Sequence, residues 1–473
     1  MTQGGPSPFS WAKSDARVNA LLWALLVGMF AVHALVMDHC LGGDGMQRAE
    51  AATTLGDGGG LSAARYSIVG PMFAVPLHWL DRLSGTGDAL LSRYNLLLLA
   101  LGVGVFVRAL TRVASRRLAL TFGVVLMAAS MFPFAASTFY GETFSAMTVG
   151  IGLYGLAVGW RGSAWVLLVL GTCNAPPLLL PLAMVAGLRA IATRCLAPLA
   201  VPVVALAVML LENTLRRGSP INFGYDNDGQ GPPGVLPYTG LGGFSYPLLL
   251  GIYGLLLSPG VGLLFYAPGL FLAGIDKGPD GPLRATMQLW LLFLVGTILA
   301  YAKWWCWHGM EYFGPRFLLM GSLPASLLLA WHALRTDLSF RANVLTLIGL
   351  CFSCYVGANG AAFLFRGLLG EPAMAAADGA PCLYAPEMSA LVYPFIRPSM
   401  PTPPQWAYLG LIAVAMAVLA LPVAVRVSRQ TPAVLRRFRA TWFAAAGAKS
   451  LNAPLLPFRT GRVLAPRQET RQQ

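Results

Sequence analysis

Long apolar runs alternate with short polar connections along almost the whole chain of 473 residues. Crossing the apolar core of a bilayer takes roughly 20 helical residues. Runs approaching that length lie at 18–37, 90–107, 118–134, 146–158, 196–211, 248–273, 287–302, 317–334, 344–363 and 408–425. The stretch 163–190 is apolar too, but Asn174-Ala-Pro-Pro177 interrupts it. Proline removes a helix donor and clashes with the turn before it, so two short helices meeting at this break are expected. Broken helices at membrane depth are tolerated where protein or a watery cavity covers the freed backbone. The pattern predicts an all-α fold, a polytopic transmembrane helix bundle of about 12 spans.

The connections carry the orientation. Lys and Arg collect at cytoplasmic ends. Arg108, Arg112, Arg116 and Arg117 follow the second run, and ten cations from Arg426 to Arg471 follow the last. Both groups read as cytoplasmic, which places the connection 38–88 and the segment from Lys303 to Arg316 outside. Residues 1–17 then form a cytoplasmic N-terminus, 18–425 the membrane domain, and 426–473 a flexible basic tail on the membrane surface. The first run lacks a small-residue cleavage site and reads as a signal-anchor. Within 38–88, two helical patterns at 47–55 and 68–83 mix apolar and polar positions, as amphipathic helices lying on a membrane do. Residues 216–245 and 367–405, rich in glycine or proline, read as outer loops.

Composition agrees. The chain is 56% hydrophobic and 11% charged, with mean hydropathy +0.63. Soluble domains carry about 25% charged residues. The net charge of +14 is explained by topology. A basic tail without a soluble reading domain is not a nucleic-acid binder. Cys351 and Cys354 have redox-motif spacing but sit in an apolar run, where they read as small buried residues. Cys40, Cys306 and Cys382 fall on the outer side, which permits a disulfide without requiring one.

Candidate chemistry gathers at the outer ends. Lys303-Trp-Trp-Cys-Trp-His-Gly-Met-Glu-Tyr-Phe-Gly-Pro-Arg316 combines cations with boundary-seeking aromatics. Arginine forks onto phosphate oxygens and lysine acts as a point charge, so Lys303, His308 and Arg316 suit a lipid-linked phosphate at headgroup depth. Snorkelling cations are the competing reading. Trp304, Trp305 and Trp307 suit stacking on a sugar or anchoring of the helix. Asp44, in Gly42-Gly-Asp-Gly45, suits a general base or an acid at a helix start. Glu142, in Phe139-Tyr-Gly-Glu142, suits a group that positions a hydroxyl or a metal, or a helix cap. Asp57 before three glycines reads as turn chemistry. Ser258-Pro-Gly-Val-Gly262 marks a break whose amides can face a ligand. Asp226 and Asp228 lie in an outer loop without the spacing of a recognised calcium loop.

The order of these pieces resembles the GT-C superfamily of integral membrane glycosyltransferases. The bacterial branch related to protein O-mannosyltransferases and lipid A aminoarabinose transferases is the nearest in pattern. The pieces are an acid after the first span, Gly141-Glu142, Gly224-Tyr225-Asp226, the Ser258–Gly262 break and Phe313-Gly-Pro-Arg316. They fall between residues 18 and 334. The resemblance implies a polyprenyl-phosphate sugar donor, an acceptor hydroxyl on a glycan, lipid or protein, and usually inversion at the anomeric carbon. It implies an active face on the extracytoplasmic side of the bacterial inner membrane. Asp44 takes the place of the base and Glu142 that of the second acid. Many members carry another acid beside the first, where this chain has Gly45 and Met46, so Asp38 and Glu50 remain alternatives. Arg65, Tyr66, Lys303, His308 and Arg316 would hold the donor phosphate. Some relatives need a divalent metal and others do not, which leaves the cofactor unassigned. Some carry an extracytoplasmic C-terminal domain; here the loops are expected to recognise the acceptor. A secondary transporter would place charges at mid-span, where this chain has almost none. A non-catalytic scaffold and a polymerase or ligase of lipid-linked glycans share the architecture.

Overall fold

The computed structural model describes residues 16–160, 162–225, 241–276, 278–309, 313–362, 380–396, 398 and 400–451. Helix dominates, and no strand longer than an isolated bridge occurs among them. A first helix, α1 (Ala16–Leu35), leads into two shorter ones, α2 (Asp44–Gly56) and α3 (Val75–Ser84). Then come α4 (Tyr94–Val113), α5 (Arg116–Ala128), α6 (Phe132–Ala136), α7 (Glu142–Ala157), α8 (Gly162–Cys173), α9 (Leu179–Thr193) and α10 (Ala200–Arg217). The second half holds α11 (Leu248–Leu257), α12 (Leu263–Tyr266), α13 (Gly281–Ala302), α14 (Ser322–Leu334) and α15 (Phe340–Ala362). Short α16 (Ala380–Tyr384) and α17 (Tyr393–Ile396) precede α18 (Pro403–Leu451). Two compact units divide the chain, Met1–Arg426 and Val427–Gln473.

This is a multi-pass membrane protein. Among the described residues, eight helices are long and apolar enough to cross a membrane, and Gly162–Cys173 and Leu248–Leu257 are apolar but shorter. The figure of about 12 spans counts shorter runs as well. The two helical patterns of the first connection are α2 and α3, and the interruption at Asn174 separates α8 from α9.

Three boundaries differ from the sequence reading, each for a local reason. The run 248–273 is not one span. It breaks after Leu257, because Pro259 and Gly260 turn the chain against the segment around Leu383. The Ser258 hydroxyl and the Gly260 amide both donate to the Leu383 carbonyl, and the Ser389 hydroxyl donates to the Pro259 carbonyl. Arg216 and Arg217 end α10 rather than open a loop. Helix also continues past Val425 to Leu451, through a stretch rich in Ala and Arg, both good helix formers.

The core is built around α14 and the short turn before it. In the span Arg316–Leu334, 89% of the most apolar stretch is buried, the highest share of the eight. It packs on α5, α13 and α15. Beside it, fully buried Trp290 stacks on Phe122 and meets the edge of Phe106, and its indole N–H donates to the Gly150 carbonyl at 2.9 Å. That donor is satisfied inside an apolar core, where an unpaired one costs about 1–3 kcal/mol. The rigid centre thus delivers Arg316, at its leading end, to a fixed place.

Candidate active site

Each charged side chain of the site is placed by local backbone chemistry. After α1 the chain is pinned by the Cys40 amide donating to the Ser137 carbonyl at 2.8 Å. Gly43 then turns with φ of +61°, and a Cβ there would lie 2.4 Å from the Tyr140 hydroxyl. Only glycine meets both conditions without strain. The turn starts α2 at Asp44, whose charge the helix N-terminus favours. Arg48 follows four residues on, on the same face.

Arg65 and Tyr66 lie in an irregular segment with carbonyls that need donors. The end of α10 supplies them. Arg216 donates to Ser62, Tyr66 and Ala64 at 2.6–2.7 Å, and Arg217 donates to Ala64 at 2.5 Å. Glu212 accepts from the Ser67 hydroxyl and the Ile68 amide at 2.8 Å and pairs with Arg216 at 2.5 Å. Glu142 begins α7, and Arg316 begins the turn leading into α14.

These segments converge. An Arg316 N–H donates to Asp44 Oδ2 at 2.6 Å, and its Nε lies 3.7 Å from Glu142 Oε1. Arg65 reaches 4.0 Å from the other Asp44 oxygen. The Tyr66 hydroxyl donates to Asp44, and the guanidiniums of Arg48 and Arg65 lie over its ring at 4.6 and 5.1 Å. Arg316 also covers the rings of Tyr140 and Phe317 at 5.1 and 5.0 Å. Burial alone would push the Asp44 carboxyl up; Arg316, with Tyr66 and Arg48, outweighs it and holds the group below the usual carboxylate range. Burial, with Asp44 adding to it, raises the Tyr66 phenol, so that hydroxyl keeps its proton.

A cavity of about 40 Å³ opens beside Arg316, room for about one water. Arg48, Glu142, Asn174, Tyr301 and Arg316 supply its polar side, and Phe293, Leu319 and Met320 its apolar floor. Glu142 Oε2 is buried and has no hydrogen-bond partner among the described residues. An incoming hydroxyl would satisfy it.

No protein-family model and no curated protein matches the sequence. In structure the chain is similar to ArnT from Cupriavidus metallidurans. The apo crystal structure of that protein shares 18% identity over 87% of this chain and 77% of its own, with a TM-score of 0.47. Its crystal structure bound to undecaprenyl phosphate shares 18% over 88% and 78%, with the same TM-score.

Of the residues singled out from sequence, Asp44, Arg65, Tyr66, Glu142 and Arg316 come together. Lys303 caps the end of α13 and His308 is buried against Trp307; neither lines the cavity. Burial and the nearby Arg316 lower the His308 pKa, which makes it a neutral imidazole near pH 7. Trp307 is a core residue beside Tyr246, and Trp304 packs edge-on to Phe244 and Tyr225. Asp38 and Glu50 are exposed. Asp57 pairs with His78 at 2.9 Å and Arg82 at 2.5 Å, tying α2 to α3. Asp226 and Asp228 lie outside the described residues. The Ser258–Gly262 amides of Gly260 and Gly262 are spent on Leu383 and Ser258. No group of three or more His, Cys, Asp or Glu side chains that could hold a metal occurs among the described residues. The two site carboxylates are instead bridged by Arg316.

Sequence reasoning missed Arg48 and Asn174. Asn174 reads as a helix breaker, yet its amide joins three elements. It accepts from Arg48 at 3.1 Å and donates to the Gly141 carbonyl and the Ser145 hydroxyl, each at 2.9 Å. The spacing of Arg48 from Asp44, one helical turn, was the available signal. Asn174→Ala is expected to lower stability by about 1–3 kcal/mol, since it strands the Arg48 N–H and removes a donor from the Gly141 carbonyl and the Ser145 hydroxyl. Thermal unfolding of the purified variant measures this, and a change under half that size would mean water replaces the amide.

Proposed function

We propose that the protein is a membrane glycosyltransferase that moves a sugar from a polyprenyl-phosphate donor to an acceptor hydroxyl. The observation that carries this reading is the meeting of two carboxylates and three guanidiniums from distant segments at the edge of the membrane-crossing helices. Guanidiniums suit phosphate oxygens, and a carboxylate beside them suits proton removal. The order of motifs shared with GT-C enzymes supports the same assignment.

The step is a single inverting displacement. The acceptor oxygen attacks the anomeric carbon as the bond from that carbon to the phosphate oxygen breaks. Asp44 receives the hydroxyl proton, and polyprenyl phosphate leaves with the bonding electrons. Arg316, Arg65 and Arg48 meet the growing negative charge, where fixed donors act most strongly. Glu142 orients the hydroxyl. Lys303 and His308, which do not line the cavity, have no direct part in this step.

The resting ion pair between Asp44 and Arg316 fits this cycle. A donor phosphate competes with Asp44 for the guanidinium. Once Arg316 turns to phosphate, the influence that depresses the Asp44 carboxyl weakens and its basicity rises. Donor binding therefore prepares the base. The many cations at the opposite helix ends support a cytoplasmic location for those ends and an extracytoplasmic site, in the inner membrane of a bacterium.

The direct test incubates the purified protein with undecaprenyl-phosphate sugars and hydroxyl acceptors, and measures release of undecaprenyl phosphate. That lipid is the ligand named for one of the two similar structures. Turnover with at least one sugar is the expected result. Uptake of a solute into proteoliposomes without any such release would place the chain among transporters instead.

A further inference from the structure

A second cavity, of about 630 Å³, lies far from the carboxylate cluster. It is formed where α4 ends, α5 begins, α13 begins and α14 ends, from Arg112, Ser115, Leu118, Asp280, Leu283, Trp331 and Arg335 among others. The other ends of α13 and α14 adjoin Tyr301 and Arg316. The cavity therefore sits at the opposite ends of those helices from the candidate active site. Its volume is within the range of sites that take a small organic ligand, about 300–1,000 Å³.

The lining is divided in character. Leu118, Leu283 and Trp331 are buried and form an apolar interior with Val113 and Leu334. The rim is charged. Asp280 pairs with Arg284 at 2.6 Å, and Arg335 is engaged by Asp337 while its guanidinium lies 5.9 Å over the Trp331 ring. The acid in the lining, Asp280, is thus already paired with a cation. Arg112 is exposed and, like neighbouring Arg116, makes no salt bridge among the described residues. Ser115 caps the start of α5, where backbone N–H groups and the helix dipole favour an anion. Surplus positive charge and a helix start therefore face one opening, above an apolar interior at the edge of membrane-crossing helices.

We propose that this cavity binds one anionic phospholipid, its phosphate held by Arg112 and the start of α5 and the first part of its acyl chains between Leu118, Leu283 and Trp331. A free phosphate would use the rim and leave the apolar interior empty. A zwitterionic lipid would fill the interior but bring its own cation to an already cationic rim. The site is separate from donor and acceptor chemistry and stands whether or not the transferase reading does.

Native mass spectrometry of the full-length protein tests it, with phosphatidylglycerol or phosphatidylcholine added to the detergent. One phosphatidylglycerol is expected to stay bound at activation energies that strip phosphatidylcholine. Arg112→Glu, an exposed change, is expected to reduce the retained fraction at least about tenfold, a loss of about 1.4 kcal/mol in binding. Ala114→Trp, which fills the cavity from its wall, is expected to do the same, and circular dichroism reports whether each variant keeps its helices. Unchanged retention in Arg112→Glu overturns the proposal. So does equal retention of the two lipids, or displacement of the lipid by millimolar inorganic phosphate, which would make this a free-anion site.

Discussion

Asp44→Asn is expected to slow sugar transfer by about 10²–10⁴-fold, the span usual for loss of a general base. The amide keeps the size of the carboxylate and one oxygen to accept from Arg316, so the helices and donor binding are expected to persist. The pH profile adds a sharper signature. The free-enzyme carboxyl is held below the usual carboxylate range, after burial is outweighed by Arg316, Tyr66 and Arg48. The acid limb of kcat/KM, which reports the free enzyme, is therefore expected below the ordinary aspartate value of about 3.9. The limb of kcat, which reports the bound enzyme, is expected higher, because phosphate has taken Arg316. Linkage has the corresponding sign. A depressed folded-state pKa stabilises the fold above the unfolded value, and that contribution disappears as pH falls through the folded value. Wild-type rates in Asp44→Asn would remove Asp44 from the chemistry and send the search to Asp38 or Glu50.

Arg316→Ala is expected to cost about 10²–10³ in kcat, as loss of one charge-stabilising donor does. It also leaves two carboxylates without their shared cation. Breaking a buried pair this way destabilises by about 3–5 kcal/mol, so lost activity alone would be ambiguous. Arg316→Lys separates the two effects. Lysine restores a point charge and most of the stability but not the two-point fork. Its melting temperature is expected near wild type while kcat stays at least about tenfold low. The pairing also predicts non-additivity, since neighbours that share an interaction do not contribute independently. The double variant Asp44→Asn/Arg316→Ala is expected to be little slower than the worse single one. Full additivity would show that the two residues act in unrelated steps.

The membrane-crossing helices were legible because burial in lipid demands apolar residues for some 20 positions, a signal carried by each segment alone. The short helices α2 and α3 and the break at Asn174 were legible for the same local reason. The run 248–273 misled because its break depends on contacts with Leu383 and Ser389, more than a hundred residues later. In the site, Asp44, Glu142 and Arg316 stood out as charges beside apolar runs. Arg48 did not, because a cation on an amphipathic helix looks like one facing solvent. The brace of Glu212, Arg216 and Arg217 was hidden by glycine and proline just beyond it, which made the helix end read as loop. Hydropathy finds what a segment avoids, whereas pairing of polar groups across the fold is a property of two segments together.

The partners of the central ion pair are separated by 272 residues of sequence. At a synthesis rate of about 5–20 residues per second, Arg316 emerges roughly 15–55 s after Asp44. Through that interval Asp44 lacks its eventual counter-charge from Arg316. The carboxylate cluster therefore cannot assemble until two-thirds of the chain has been made, and a chain truncated before Arg316 would leave Asp44 without this partner.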